Sequence, residues 1–196
     1  MDAALVTTEA TAWSTPLKLA ATLFVMVATA AAAQVSVPLP FTPVPFTFQP
    51  MVVLLGGAVL GPQLGMLSQL CYLAAGFAGL PVFAASPDLA QGAARLLGPT
   101  GGYLMAYPLA AMATGSLARR GFDRRYLTSV IAMATGLAIV FFGGITWLTL
   151  FAPGAGARSL QAALAIGFYP FVLADLVKIC LAAAIMPAAW RLLPPT

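Results

Sequence analysis

Residues 37–50 read VPLPFTPVPFTFQP. Four prolines (Pro38, Pro40, Pro43 and Pro45) fall within eight residues, and a pentapeptide repeats, PLPFT at 38–42 and PVPFT at 43–47. Each proline ring fixes φ, removes a backbone donor and pushes the preceding residue out of the helical region. The stretch is therefore expected to be extended and stiff, close to polyproline II. Its Leu39, Phe41, Val44, Phe46 and Phe48 are too apolar for a solvated linker. Long apolar runs flank it on both sides. Non-helical backbone at the edge of a membrane domain is tolerated where protein buries it or where it lines a cavity. The segment reads as a plain loop between two spans or as the preformed wall of a ligand site, and we take the second reading.

Composition sets the class. Of 196 residues, 61% are hydrophobic and 7% charged, and the mean hydropathy is +0.97. Soluble domains carry about 25% charged residues. A chain this poor in charge has too few polar groups to cover its own surface, so its solvent is lipid. Several runs reach the roughly 20 residues needed to cross a hydrocarbon core. The expectation is one all-α integral membrane domain over residues 1–196, with a short polar leader at 1–16 and a six-helix core over 17–190. There is no room for a soluble ATPase domain, so energy must come from a gradient or a partner. Cys71 and Cys180 lie in separate apolar runs outside any metal or redox spacing, and packing is the plainer account of both. No cofactor, no metal and no nucleic-acid partner is expected.

The spans follow in order. Residues 17–34 form the first, with the small-residue spacing Ala28-x-x-x-Ala32 that lets another helix come close in lipid. That face suits packing within the chain or a partner protein. Residues 51–79 are broken at Gly61-Pro62 and read as two short helices, 51–60 and 63–79. Residues 80–99 form a long connection holding Asp88 and Arg95, and its apolar content argues for a folded loop. Residues 100–117 open on Gly101-Gly102-Tyr103. The basic stretch RRGFDRR at 119–125 follows, then a span at 126–151, a glycine-proline turn at 152–156 and a last span at about 167–190. Trp147 and Trp190 sit where interfacial anchors belong. Lys18, Arg119, Arg120, Arg124, Arg125 and Arg191 fall on one side, against Arg95 and Arg158 on the other. The positive-inside rule then places both termini in the cytoplasm, with the proline segment and the 80–99 loop outside. The arginine cluster is read as a topology determinant touching anionic lipid.

Asp175 and Lys178 are the ionisable groups well inside an apolar run, and their i, i+3 spacing puts them on one helix face. Each costs roughly 2.5–3.5 kcal/mol at a span's centre, so they mark a site or neutralise each other as a structural pair. With residue 167 at the outer boundary, Asp175 lies about 12 Å down. Arg95 is the second candidate, a guanidinium able to take a carboxylate or to snorkel to water. Thr47, Gln49, Tyr103, Tyr107 and Tyr169 are further candidate lining residues. Catalytic residues are not expected: the chain has no histidine, no Walker A loop and no nucleophile–base pair.

Four motifs resemble the BioY family, the biotin-specific substrate-capture (S) components of energy-coupling factor (ECF) transporters. They are PFTPVPFT at 40–47, GLPVF at 79–83, LGPTGGY at 97–103, and the run from Phe171 through Asp175 to Lys178. They occur in family order and cover the chain from the first span onward. After Phe83 the sequence AASPD departs from the glycine-rich form common in the family. The resemblance implies a six-helix, ECF S-component-like fold with short second and third helices and structured external loops. It implies biotin held near the external surface, with the first inter-span loop as a cap. Ala28 and Ala32 match the face that docks on the transmembrane coupling protein, and cytosolic ATPase subunits would power release. Biotin offers a ureido ring, an apolar body and a carboxylate. Asp175 would accept from a polar ligand group, and Arg95 and Lys178 would supply positive charge. Phe41, Phe46 and the Gly101-Gly102 backbone would form walls, with Thr47, Tyr103 and Tyr169 beside them. Partners are therefore biotin, the ECF subunits and membrane lipid, with a homo-oligomer left open. The alternatives are a stand-alone secondary carrier for biotin or another small organic anion, and an intramembrane enzyme, which the residue inventory opposes.

Overall fold

A computed structural model of the chain describes residues 14–85, 91–151 and 159–192, with side chains through residue 189. The leader before Ser14, Asp88, Arg158, the turn at 152–156 and the side chains of Trp190 and Arg191 lie outside the described residues. Helix α1 spans Thr15–Gln34, followed by strands β1 (Ser36–Leu39) and β2 (Thr42–Thr47), and helix α2 spans Gln49–Phe77. Then come α3 (Ala93–Leu97), α4 (Gly101–Leu117), a π-helical turn at Ala118–Phe122 and α5 (Tyr126–Leu150). The chain continues through α6 (Leu160–Gly167), α7 (Tyr169–Ala183) and α8 (Ile185–Leu192). Among the described residues, four helical stretches are long and apolar enough to cross a membrane: Thr15–Gln34, Gln49–Phe77, Tyr126–Leu150 and Tyr169–Ala189. The protein is a multi-pass membrane protein, mostly helical, with a small sheet at one end.

That sheet is the proline segment. It does not stay a free polyproline helix but folds back as an antiparallel hairpin, pairing Ser36 with Thr47, Val37 with Phe46 and Leu39 with Thr42. The extended backbone expected from the prolines is present, and pairing is possible because a two-stranded sheet has only edge strands. There, a missing N–H can face away from the partner. The ladder is irregular between Val37 and Leu39, on either side of Pro38. Thr42 Oγ1 donates to Ile166 O at 2.6 Å and ties the hairpin turn to α6.

The two short helices expected at 51–60 and 63–79 are present as the two arms of α2, on either side of a kink. Gly61 takes φ 78°, a left-handed conformation that suits glycine, next to Pro62. The break lets α4 come close: a Cβ on Gly115 would meet backbone atoms of Gly57, Gly61 and Pro62 at 2.6–2.7 Å. In lipid the hydrophobic drive between helices is absent, so backbone approach of this kind supplies much of the packing. The last span, expected at about 167–190, is the stretch Tyr169–Ala189. A short helix, α6, precedes it with a break at Phe168, and Pro170 occupies the first turn of α7, where its missing N–H is no loss.

Leu54, Tyr72, Phe83, Met133, Leu137, Leu148 and Ile179 form the buried core between α2, α4, α5 and α7. Helix α1 lies against α2 on one side only. Thr22, Val25, Thr29 and Ala33 are buried, while Leu19, Leu23, Phe24 and Val27 face outward. The hairpin and α3 sit at the opposite end of α4 from the Arg119–Arg125 turn. The long 80–99 connection is described at 80–85 and 91–99, where it carries the five-residue α3; residues 86–90 lie outside the described residues.

Candidate functional site

Under the hairpin lies a recess of about 610 Å³, open solvent included. The hairpin contributes Val44, Pro45 and Thr47; the start of α2 contributes Gln49 and Pro50. Phe83 and Ala84 come from the connection after α2, Arg95 from α3 and Thr100 from the turn that follows it. Tyr103, Leu104 and Tyr107 of α4, Val140 and Phe141 of α5, and Phe171, Asp175 and Lys178 of α7 complete it. Most of the wall is aromatic or aliphatic, with a few convergent polar groups, the usual make-up of a small-molecule site.

One polar pole is Asp175 and Lys178. The i, i+3 spacing brings Lys178 Nζ to 2.7 Å from Asp175 Oδ1. The same ammonium donates to Thr47 O at 2.6 Å and stands 3.5 Å from the centre of the Phe46 ring, with Phe48 at 5.3 Å. An ammonium has three N–H donors, and these contacts occupy all of its directions. Lys178 therefore holds the hairpin down on α7 and is already neutralised. Asp175 has its second oxygen without a hydrogen bond among the described residues.

The other pole is Arg95. The α3 turn begins after Gly92, whose φ of 71° turns the chain inward, and the guanidinium is 2% exposed. Its Nη2 donates to Ala84 O. Its Nε and Nη1 are buried with no hydrogen-bond partner among the described residues, and so is Thr100 Oγ1 nearby in the lining. Burial pulls the guanidinium pKa below its ordinary value, yet arginine keeps its charge in proteins. A buried cation with open N–H groups is costly unless an acceptor meets them.

Of the residues singled out from the sequence, Thr47, Arg95, Tyr103, Asp175 and Lys178 line the recess together, as do Gln49 and Tyr107. Phe46 is not in the lining but sits under Lys178. Phe41 lies at the hairpin turn, 61% exposed, and Tyr169 is 62% exposed; both stand outside the recess. Gly101 and Gly102 also stay out of the lining and act by packing. A side chain at either would run into Leu96 O or the Trp147 ring. Trp147, expected as an interfacial anchor, donates through Nε1 to Gly98 O at 2.8 Å and fixes the end of α3. Ala28 and Ala32 are half-buried on α1, between its packed and outward faces.

Sequence reasoning missed Phe83, Thr100, Val140, Phe141 and Phe171 as lining residues. Phe83 had a signal, being the apolar end of a Gly-Leu-Pro-Val-Phe turn in the connection after α2. Val140 and Phe141 had none, because nothing distinguishes them within a uniformly apolar span.

Comparison with known proteins places this geometry. The chain is 41% identical over 150 residues to the "Probable biotin transporter BioY" of Pyrococcus horikoshii, covering 76% of this chain and 82% of that protein. It is 39% identical over 148 residues to the "Biotin transporter BioY" of Thermotoga maritima, covering 75% and 81%. A crystal structure of the S-component for biotin from an ECF-type ABC transporter superposes with a TM-score of 0.78 at 26% identity, over 92% of this chain and 95% of that one. The BioY family model matches residues 7–195, and the chain belongs to the BioY family.

Proposed function

We propose that this protein captures biotin at the cytoplasmic membrane and serves as the substrate-specific subunit of an ECF-type importer. The observation that carries the reading is the division of charge in the recess. One buried pair, Asp175–Lys178, is internally satisfied, and one buried cation, Arg95, has N–H groups with no partner among the described residues. Biotin matches that inventory: a carboxylate for Arg95, a ureido N–H for the second oxygen of Asp175, and an apolar body for the walls of Phe83, Phe141 and Phe171. Thr47, Tyr103 and Lys178 support the site, and Phe46 supports Lys178. Nanomolar capture needs about −12 kcal/mol, roughly −0.8 kcal/mol for each of about 16 heavy atoms, within reach of a preorganised pocket.

In this reading residues 1–196 form one membrane domain that crosses six times, with α2 counted as two short spans and α6–α8 as one. Both termini and the arginine turn are cytoplasmic, where the arginines meet anionic lipid. The outer face of α1, with Ala28 and Ala32 at its margin, docks on the ECF transmembrane protein, and ATPase subunits drive release. The protein is a transporter subunit and not an enzyme.

The test is equilibrium binding of labelled biotin to the purified, detergent-solubilised chain alone, beside the Arg95→Leu variant. Tight binding by the parent and at least about a hundredfold loss in the variant is the expected result. A folded parent that ignores biotin but binds another organic anion would overturn the assignment and leave a carrier of different specificity.

A further inference from the structure

Residues 81–84 form a strap whose four successive carbonyls each lie within hydrogen-bond reach of a side-chain donor. Gln34 Nε2 on α1 reaches Pro81 O and Phe83 O, each at 3.4 Å, and also its own helix at Ala30 O, 3.2 Å. Tyr72 on α2 donates to Val82 O at 3.1 Å, and its hydroxyl in turn receives Gln49 Nε2 at 2.5 Å. Arg95 takes Ala84 O, with Gln91 Nε2 beside it at 3.4 Å. No backbone N–H among the described residues reaches any of the four. Side chains from α1, α2 and α3 therefore set where this strap lies. The strap in turn carries Phe83 and Ala84, both in the recess wall, and it is the one anchor found for the Arg95 guanidinium among the described residues.

We infer that Gln34, outside the recess on α1, is a positioning residue for Arg95, acting through the strap at 81–84. Gln34 shares two N–H groups among three carbonyls. It ties the strap to α1 and so steadies Ala84 O, which holds Arg95 Nη2 while Nε and Nη1 stay open among the described residues. Loss of the Gln34 amide leaves two strap carbonyls without a donor, and the strap then relaxes towards water. Arg95 follows its acceptor and loses alignment on the ligand. The ligand cation is thereby coupled to α1, the helix read above as the partner-docking element. A partner that tilts α1 would loosen the grip on the ligand without touching the recess. This rests on the biotin reading for its affinity arm but not for its structural arm.

The experiment is a double-mutant cycle of Gln34→Met and Arg95→Lys on the full chain in detergent, read by biotin affinity. Amide hydrogen exchange without ligand accompanies it. Gln34→Met keeps side-chain length and removes the donor. It is expected to weaken biotin about threefold to tenfold in the parent, the size of one or two hydrogen bonds. In the Arg95→Lys background it should weaken biotin little further, because the group being positioned is gone. Exchange should rise over 80–85 and 93–97 while the α5 amides stay unchanged. Gln34→Glu, which offers the strap carbonyls only an acceptor, should exceed Gln34→Met in both readouts and provides a second variant. Equal affinity of Gln34→Met and parent, or the same factor in both backgrounds, overturns the inference and leaves Gln34 a surface cap. A parent that fails to bind biotin overturns the proposed function instead. The exchange arm then decides, and unchanged exchange over 80–85 and 93–97 overturns the positioning role.

Discussion

Two cations share the recess, and their surroundings are opposite. Lys178 has a carboxylate at 2.7 Å, a carbonyl at 2.6 Å and an aromatic face at 3.5 Å. Arg95 has a single carbonyl acceptor group on one nitrogen and two buried nitrogens with nothing among the described residues. Both are buried, so exposure does not separate them; hydrogen-bond supply does. A charge whose donors are all engaged builds the site, whereas one with open donors waits for an anion. The lysine ties the hairpin to α7, and in the proposed reading the arginine takes the ligand's carboxylate.

The largest way to break this comparison is Arg95→Leu. Biotin binding by calorimetry should fall at least about a hundredfold, since removing one side of a desolvated charge pair costs several kcal/mol. Parent protein should also discriminate biotin from its methyl ester, and Arg95→Leu should lose that preference. A preference that survives moves the carboxylate elsewhere.

Asp175→Asn comes next, with an expected loss of about thirtyfold in affinity and a lower melting temperature. It strips the carboxylate from a buried ammonium, and breaking such a pair destabilises by about 3–5 kcal/mol. The double variant Asp175→Asn/Lys178→Met should recover stability but not binding. If it recovers neither, the bond from Lys178 to Thr47 O that holds the hairpin carries the stability, and the charge pair does not.

Phe46→Leu removes the ring beneath Lys178 while keeping apolar bulk, and should weaken binding about threefold, the scale of a partly desolvated cation–π contact. The smallest effect belongs to Phe41→Ala and Tyr169→Ala. Both residues are exposed, so affinity should stay within about twofold. A larger loss at Phe41 would mean that the hairpin turn folds further over the bound ligand.

Several elements were legible in advance because their causes are local. Gly61-Pro62 announced the break in α2 through a missing donor and a permissive φ. The prolines announced extended backbone. Asp175 and Lys178 announced themselves by charge in an apolar run, and Arg95 by its place in a folded loop. The interruption at Phe168 was not legible from apolar pattern, since Gly167 and Pro170 fit equally well at the start of a helix. Gly101 and Gly102 were read as walls because glycine pairs allow close approach. What approaches them is Leu96 O and Trp147, which spacing does not reveal.

By itself, then, the sequence determined the solvent, the stiff segment, the kink and the residues able to carry charge in lipid. These follow from composition and from backbone rules that act over a few residues. Only the tertiary structure decided that the proline segment pairs with itself, that Phe41 and Tyr169 stand outside, and which cation is spoken for. The reason is distance along the chain. Lys178 is satisfied by a carbonyl 131 residues away, and Gln34 reaches carbonyls 47 and 49 residues away. Whether a buried donor is engaged or open depends on such meetings, and no local pattern records them.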